Sequence, residues 1–222
     1  MIDAITFIRL NSKRLPRKSI KELDGIPLCN YSLKTFSEIN LIDNIYVYAS
    51  DESICNYISD GIDYKFIKRD KKLDGDEIKF NDVMNSSIDL INSEYVLYFC
   101  VTSPFIYKSS IEKMIDSVVN GDYDSAFMVN PLYNFAWYDE KPLNYNINDI
   151  EATQSLKPIL VENSGIYLFN KQFYKDTGRR IGNKPFIMEC DIIQNVDIDT
   201  REQFELASSL LSLYNKRKAN DN

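Results

Sequence analysis

The chain has 222 residues and no histidine, with 33 acidic side chains against 26 basic ones and a formal net charge of −7. The missing imidazole excludes Ser-His-Asp and Cys-His nucleophile systems and His-ligated zinc, and the negative balance makes nucleic acid an unexpected partner, since that needs a basic face. A hydrophobic content of 44% and a charged content of 27% suit a globular protein, and the length suits one domain over residues 1–222 with a sizeable core.

In chain order, Ala4–Ile8 is a short apolar run and reads as a buried strand. Arg9 to Lys21 is a loop with six basic residues and no acidic one. Leu28, Tyr31, Leu33 and Phe36 have helical spacing over 27–36, Ile45–Ala49 is a second strand, and Asp51 opens a helix over 51–58. A weaker strand follows at 63–67, a helix at 81–91, and a central strand at Tyr95–Phe99. Ser109–Val119 places Ile111, Met114, Ile115 and Val118 on one helical face, and Ser125–Val129 is another strand. This alternation predicts a mostly parallel α/β sheet with helices on both faces. From Asn130 to Asn163 the chain becomes aromatic, Pro- and Asn-rich, which predicts an excursion of short strands and loops. Then come a strand at Gly165–Phe169, a helix near Lys171, a strand near Phe186, a final helix from about Thr200 to Lys216, and frayed residues 219–222.

No apolar run approaches 18 residues, so no transmembrane helix and no membrane partner are expected, and the first ten residues do not resemble a signal peptide. Cys29, Cys55, Cys100 and Cys190 form no CxxC pair and read as buried thiols of a cytoplasmic protein.

The seven glycines form neither G-x-G-x-x-G nor G-x-x-x-x-G-K-[ST], which excludes the dinucleotide fingerprint and the P-loop. The basic loop nevertheless follows the first strand, where open α/β sheets bind ligands. There Arg9 can grip phosphate bidentately, Lys18 adds a compact charge, and turn-prone Asn11 and Ser12 can aim backbone N–H groups inward. A solvated basic face is the alternative, and the spacing alone leaves the two about even. Late in the chain, Asp197-Ile198-Asp199 puts two carboxylates on one side if it ends a strand, as Mg²⁺ shared with phosphates requires. Thr200 or Asp199 can equally cap the following helix. Asp74-Gly75-Asp76 is a competing D-x-D and reads better as a turn.

Six collinear segments carry a family resemblance. They are Ile5 to Ser32 (with Arg9-Leu10-Asn11-Ser12-Lys13, Pro16, Lys18-Ser19 and Leu23-Asp24-Gly25-Ile26-Pro27-Leu28), Tyr48-Ala49-Ser50-Asp51, Arg69 to Leu73 with Asp76 and Asp82, Val101-Thr102-Ser103-Pro104, Glu162 to Tyr167, and Val196 to Thr200 with Phe204-Glu205-Leu206-Ala207. Together they resemble the CMP-sialic acid synthetases (acylneuraminate cytidylyltransferases), relatives of the KDO cytidylyltransferases. The departures are Asn11 for a loop glycine, Ser19 for an asparagine, Cys100 for a glutamine, and Asn163-Ser164 for Asn-Gly; residues 133–145 have no counterpart.

The resemblance implies a Rossmann-like three-layer α/β/α nucleotidyltransferase fold whose 130–163 excursion serves a homodimer and the acceptor site. It implies attack by the anomeric hydroxyl of a sialic-acid-like 2-keto sugar acid on the α-phosphorus of CTP, giving a CMP-sugar and pyrophosphate for glycan or surface polysaccharide synthesis. Arg9, Lys18, Asp197 and Asp199 would be catalytic, with Mg²⁺ on Asp197 and Asp199. Leu10, Asn11, Ser12, Ser19, Ser50, Asp51, Arg69 and Asp76 would line the nucleotide, and Cys100, Thr102, Ser103, Gln154, Asn163 and Tyr167 the acceptor, with Tyr138 and Tyr145 nearby. A different capsule precursor as acceptor, or a GT-A-like glycosyltransferase, are the competing readings.

Overall fold

The computed structural model describes residues 1–221. Its elements are β1 (Ile2–Ile8), β2 (Glu22–Leu23), β3 (Ile26–Pro27), α1 (Leu28–Ser37), β4 (Asn44–Ala49), β5 (Lys65–Lys68), α2 (Phe80–Ser87), β6 (Tyr95–Phe99), α3 (Lys108–Val119), β7 (Ser125–Leu132), β8 (Trp137–Tyr138), β9 (Lys141–Pro142), β10 (Ile159–Asn170), α4 (Lys171–Thr177), β11 (Pro185–Glu189) and α5 (Arg201–Lys218). Seven strands form one sheet in the order β11-β7-β10-β6-β1-β4-β5. All its pairings are parallel except those of β10, which runs antiparallel to both neighbours. The chain leaves β1 toward β4 and β5, then crosses back to β6 on β1's other side. That reversal opens a crevice at the carboxyl ends of β1 and β6.

Period-two alternation sorts β1 between two core layers. Ala4 and Ile8 join the layer holding Leu33 and Phe36 of α1 with Ile111, Met114, Ile115 and Val118 of α3. Ile5 joins the opposite layer, with Val83 and Met84 of α2 and Tyr174 of α4, and Phe7 packs against it. A third cluster seats Ala207, Leu211 and Tyr214 of α5 against Phe105, Tyr107 and Ile198. The Rossmann-like three-layer expectation therefore holds. Among the described residues no helix is long and apolar enough to cross a membrane.

Several local expectations change. The helix at 51–58 is a 3-10 helix over Glu52–Tyr57, and α2 ends at Ser87, followed by a 3-10 turn at Ile88–Leu90. Val196–Ile198 is not a strand. Its segment is irregular because its backbone finds other partners: Ile198 N–H donates to the Thr102 carbonyl (2.8 Å), and Asn163 Nδ2 donates to the Gln194 carbonyl (3.1 Å). Residues 219–221 are not frayed, since Asp221 accepts from Ser109 N–H (3.1 Å) and from its hydroxyl at the start of α3; Asn222 lies outside the described residues. The excursion has an ordered base, with β7 pairing β10 as far out as Leu132 and Ile159.

Pairing of β7 with β10 shifts register between Asn163 and Tyr167, and Gly165 sits in the irregularity. Its carbonyl accepts from Cys100 N–H (2.8 Å) and its N–H donates to Asn163 Oδ1 (2.7 Å). A Cβ there would lie 2.7 Å from Asn163 Oδ1 and 2.9 Å from Ser103 Cβ. Gly165→Ala is therefore expected to cost about 1–3 kcal/mol by overpacking, measured by urea unfolding; an unchanged midpoint would show that the bulge yields freely.

Candidate active site

Leu15 and Ile20, both buried, pin the basic loop to the fold at two points. Between them Arg17 takes a left-handed conformation (φ 56°) and starts a 3-10 turn over Lys18–Ile20. The loop thereby folds over the carboxyl ends of β1 and β6 and closes a cavity of about 390 Å³. Arg9, Ser12, Lys13, Arg14, Lys18 and Ser19 line one side; Phe7, Asp76, Cys100, Val101, Thr102, Asp197 and Asp199 line the rest.

Charge in this cleft is offset in part by two carboxylates, each paired with two cations. Asp199 pairs with Lys18 and, at 2.8 Å, with Arg14. Asp76 pairs with Lys13 and, at 3.7 Å, with Arg9. The hydrogen bond from Lys13 holds the Asp76 carboxyl below the usual carboxylate range, with the Lys13 and Arg9 charges adding to it, and the Lys13 ammonium is raised in return. Asp197 is fixed differently: Thr102 Oγ1 donates to its Oδ1 at 2.6 Å and lies 3.0 Å from Cys100 Sγ. Burial, then the Asp197 charge, push the Cys100 thiol up.

Thr200, rather than Asp199, caps α5: its hydroxyl accepts from Gln203 N–H, and Gln203 Oε1 accepts from the N–H groups of Asp199 and Thr200. Both Asp197 and Asp199 are thus left to face the cleft. Among the described residues no group of three or more Cys, Asp or Glu comes together to hold a metal by itself. Two carboxylates in a phosphate-sized basic cleft fit Mg²⁺, which takes one or two carboxylates and draws its other ligands from phosphates and water.

Other expected nucleotide residues are engaged in a strut beside the cleft. Arg69 is 4% exposed; its Nη2 reaches Asp74 Oδ1 (2.5 Å) and the Ile8 carbonyl (3.2 Å). Ser50 donates to the other Asp74 oxygen, and Arg9 Nη1 donates to the Asp74 carbonyl at 3.1 Å. Asp74 and Asp76 therefore part company, one buried in the strut and the other in the cleft. Asp51 faces solvent and accepts from Ser53 N–H (3.0 Å) to cap its 3-10 helix. Leu10 packs on the core and Asn11 is exposed.

The expected acceptor residues scatter. Cys100 and Thr102 line the cleft. Ser103 is buried behind its floor, its carbonyl accepting from Ser32. Asn163 is buried and ties β10 to Gln194 and Asn195. Tyr167 is fully buried, its hydroxyl donating to Glu162. Gln154 sits on an exposed 3-10 turn, and Tyr145 packs against Phe135 (4.7 Å) and Trp137 (6.4 Å) beside exposed Tyr138. Phe7, Lys13, Arg14 and Val101 line the cleft without having been singled out; for the two cations, membership of the basic run was the available signal.

The cytidylyltransferase family profile matches residues 4–220. The chain belongs to that family. It is 25% identical over 214 residues to N-acylneuraminate cytidylyltransferase A of Danio rerio, covering 89% of this chain and 48% of that protein. It is 24% identical over 173 residues to pseudaminic acid cytidylyltransferase of Campylobacter jejuni, covering 75% of this chain and 66% of that one. The chain thus spans about half to two thirds of these relatives' lengths. Its fold matches that of a CMP:2-keto-3-deoxy-manno-octonic acid synthetase solved with CTP, at a TM-score of 0.71 and 13% identity over 96% of this chain and 98% of that one. Membership of the cytidylyltransferases displaces the glycosyltransferase alternative.

Removing one partner of a buried ion pair strands the other charge. Arg69→Ala is therefore expected to lose about 3–5 kcal/mol of stability in chemical denaturation. Full stability with weakened CTP binding would instead make Arg69 a nucleotide contact.

Proposed function

We propose that this cytidylyltransferase activates a sialic-acid-like 2-keto sugar acid with CTP, releasing pyrophosphate and giving a CMP-sugar for surface polysaccharide or glycan synthesis. One observation carries the reading: a cleft at the carboxyl ends of β1 and β6 with four cations facing Asp76, Asp197 and Asp199. Its size and charge suit a triphosphate, and the charges are already in place before reaction. The relatives' names, which pair cytidylyl transfer with acylneuraminic and pseudaminic acids, support the acceptor class.

In this reading Lys13, Arg14 and Lys18 take phosphate oxygens, releasing Asp76 and Asp199 from their ion pairs. Arg9, braced by the Asp74 carbonyl, holds its guanidinium at the cleft wall. Thr102 engages Asp197 Oδ1, and among the described residues Oδ2 has no partner, so this oxygen is free to meet a cation or take a proton from an incoming hydroxyl. Asp197 and Asp199 would hold Mg²⁺, which supplies neutralisation of the phosphates and of the pyrophosphate leaving group when bound. Catalysis is then mostly positioning and charge stabilisation, for which no imidazole is needed.

The excursion fits a second copy of the chain, because Trp137, Tyr138, Leu143, Leu160 and Val161 are exposed together on or beside it. Four free thiols suit a reducing cytoplasm.

Purified protein with CTP and Mg²⁺ is expected to release pyrophosphate with at least one of N-acetylneuraminic, pseudaminic or 3-deoxy-octulosonic acid. Lys18→Ala and Asp197→Ala should each lower turnover by roughly 10²–10³-fold. No release with any nonulosonic or octulosonic acid would refute the proposal, and undiminished turnover in Asp197→Ala would refute the metal assignment. A second expectation concerns pH. A thiol gains its negative charge as pH rises through its pKa, and Cys100's is raised, so it stays protonated through the neutral range. Cys100→Ser should leave the shape of the rate profile between pH 7 and 9 unchanged; a moved inflection would assign that ionisation to the thiol.

A further inference from the structure

On the sheet face covered by α2 and α4 lies a second cavity of about 450 Å³, lined among others by Lys79, Phe80, Glu162, Arg179 and Arg180. An aromatic floor joins it to the nucleotide cleft. Phe7 lines the cleft, and its ring lies 5.0 Å from that of Tyr98 and 5.9 Å from that of Phe80, which lines the second cavity. Tyr98 is in turn 5.0 Å from Phe80 and 6.4 Å from Tyr167. Burial pushes the Tyr98 phenol up, and the Arg180 charge opposes it.

Arg180 covers the far end of the floor. Its guanidinium carbon sits 3.8 Å from the Tyr167 ring centroid and 4.7 Å from that of Phe80. Two aromatic faces hold the group and shed water from it. Its edge is mostly unused: among the described residues its one hydrogen bond runs from Nη2 to Glu162 Oε1 at 3.0 Å, and a guanidinium has five N–H donors. Lys79 and Arg179 leave the cavity with excess positive charge over Glu162.

We infer that Arg180 anchors the carboxylate of the acceptor acid in this second cavity, displacing Glu162. The inference rests on the cytidylyltransferase reading above and adds a residue that selects for an acid. A planar fork held between rings, with most donors free, suits a bidentate carboxylate better than a point charge would. Glu162 then plays the part for Arg180 that Asp76 and Asp199 play in the nucleotide cleft.

The test is steady-state pyrophosphate release by the full chain with CTP, using whichever of N-acetylneuraminic, pseudaminic or 3-deoxy-octulosonic acid the wild type turns over. Arg180→Ala should raise KM for the acid about 10- to 100-fold, the range for a charge-assisted hydrogen bond, with KM for CTP within about twofold. Arg180→Lys should recover only part of this, and Glu162→Gln, which removes the competing carboxylate, should lower KM for the acid. A purely structural Arg180–Glu162 pair would instead give loss of stability in both variants and no gain in Glu162→Gln. An unchanged acid KM in Arg180→Ala, or an effect on CTP instead, would overturn the inference and leave cytidylyl transfer standing. Failure of the wild type with all three acids would overturn both. Should Arg180→Ala fail to fold, Arg180→Lys and Glu162→Gln decide the matter.

Discussion

Four cationic side chains, Arg9, Lys13, Arg14 and Lys18, crowd one cleft of an otherwise acidic protein, and their mutual repulsion is the constraint around which the site is built. Like charges about 4 Å apart repel by about 1 kcal/mol in bulk water and about 4 kcal/mol near a protein surface. The chain meets this with carboxylates brought from far along the sequence. Lys18 and Asp199 are separated by 181 positions, so their ion pair draws the segment entering α5 against the loop after β1. Asp76 comes from the opposite direction, carried by the segment after β5. In the proposed reading phosphate oxygens take the places of Asp76 and Asp199, so the cleft is charged and shaped in advance of the substrate.

The support beneath the loop is less negotiable than the ion pairs within it. Arg69, Asp74, Ser50 and the Ile8 carbonyl form a buried polar knot joining the ends of β1, β4 and β5. Breaking such a knot is costly because a desolvated charge is left behind. The pairs of Asp76 above it are exposed and individually weak, and the Lys18–Asp199 pair is partly covered yet lines the cleft, so each can be exchanged for ligand contacts. A firm base under an exchangeable upper layer is what a site for a charged substrate requires.

How legible this was depends on the range of the interactions. Strand and helix alternation is local, so β1, β4, β6, α1 and α3 emerge from periodicity alone, and the loop after β1 announces itself by charge. Asp197 and Asp199 both reach the cleft, but not by the strand geometry their spacing suggests. Their common orientation does not come from a strand; Thr200 takes the cap and Thr102 holds Asp197. The burial of Arg69 is not written in its sequence neighbours, and the turn expected at Asp74-Gly75-Asp76 is present, but the ion pair that Asp74 makes with Arg69 is not legible from it. Arg180 gave no signal at all. Its meaning comes from Tyr167 and Phe80, whose rings meet it only once α2, α4 and β10 are packed.

The claim on which the account turns is that the cleft carboxylates stand in for phosphate. Calorimetric titration of CTP into the Asp76→Asn variant and the wild type, at low ionic strength, tests it most directly. Freed from a competing anion, Lys13 and Arg9 should bind the triphosphate a few-fold more tightly in the variant. Weaker binding in Asp76→Asn would contradict the account and make Asp76 a direct contact of the nucleotide.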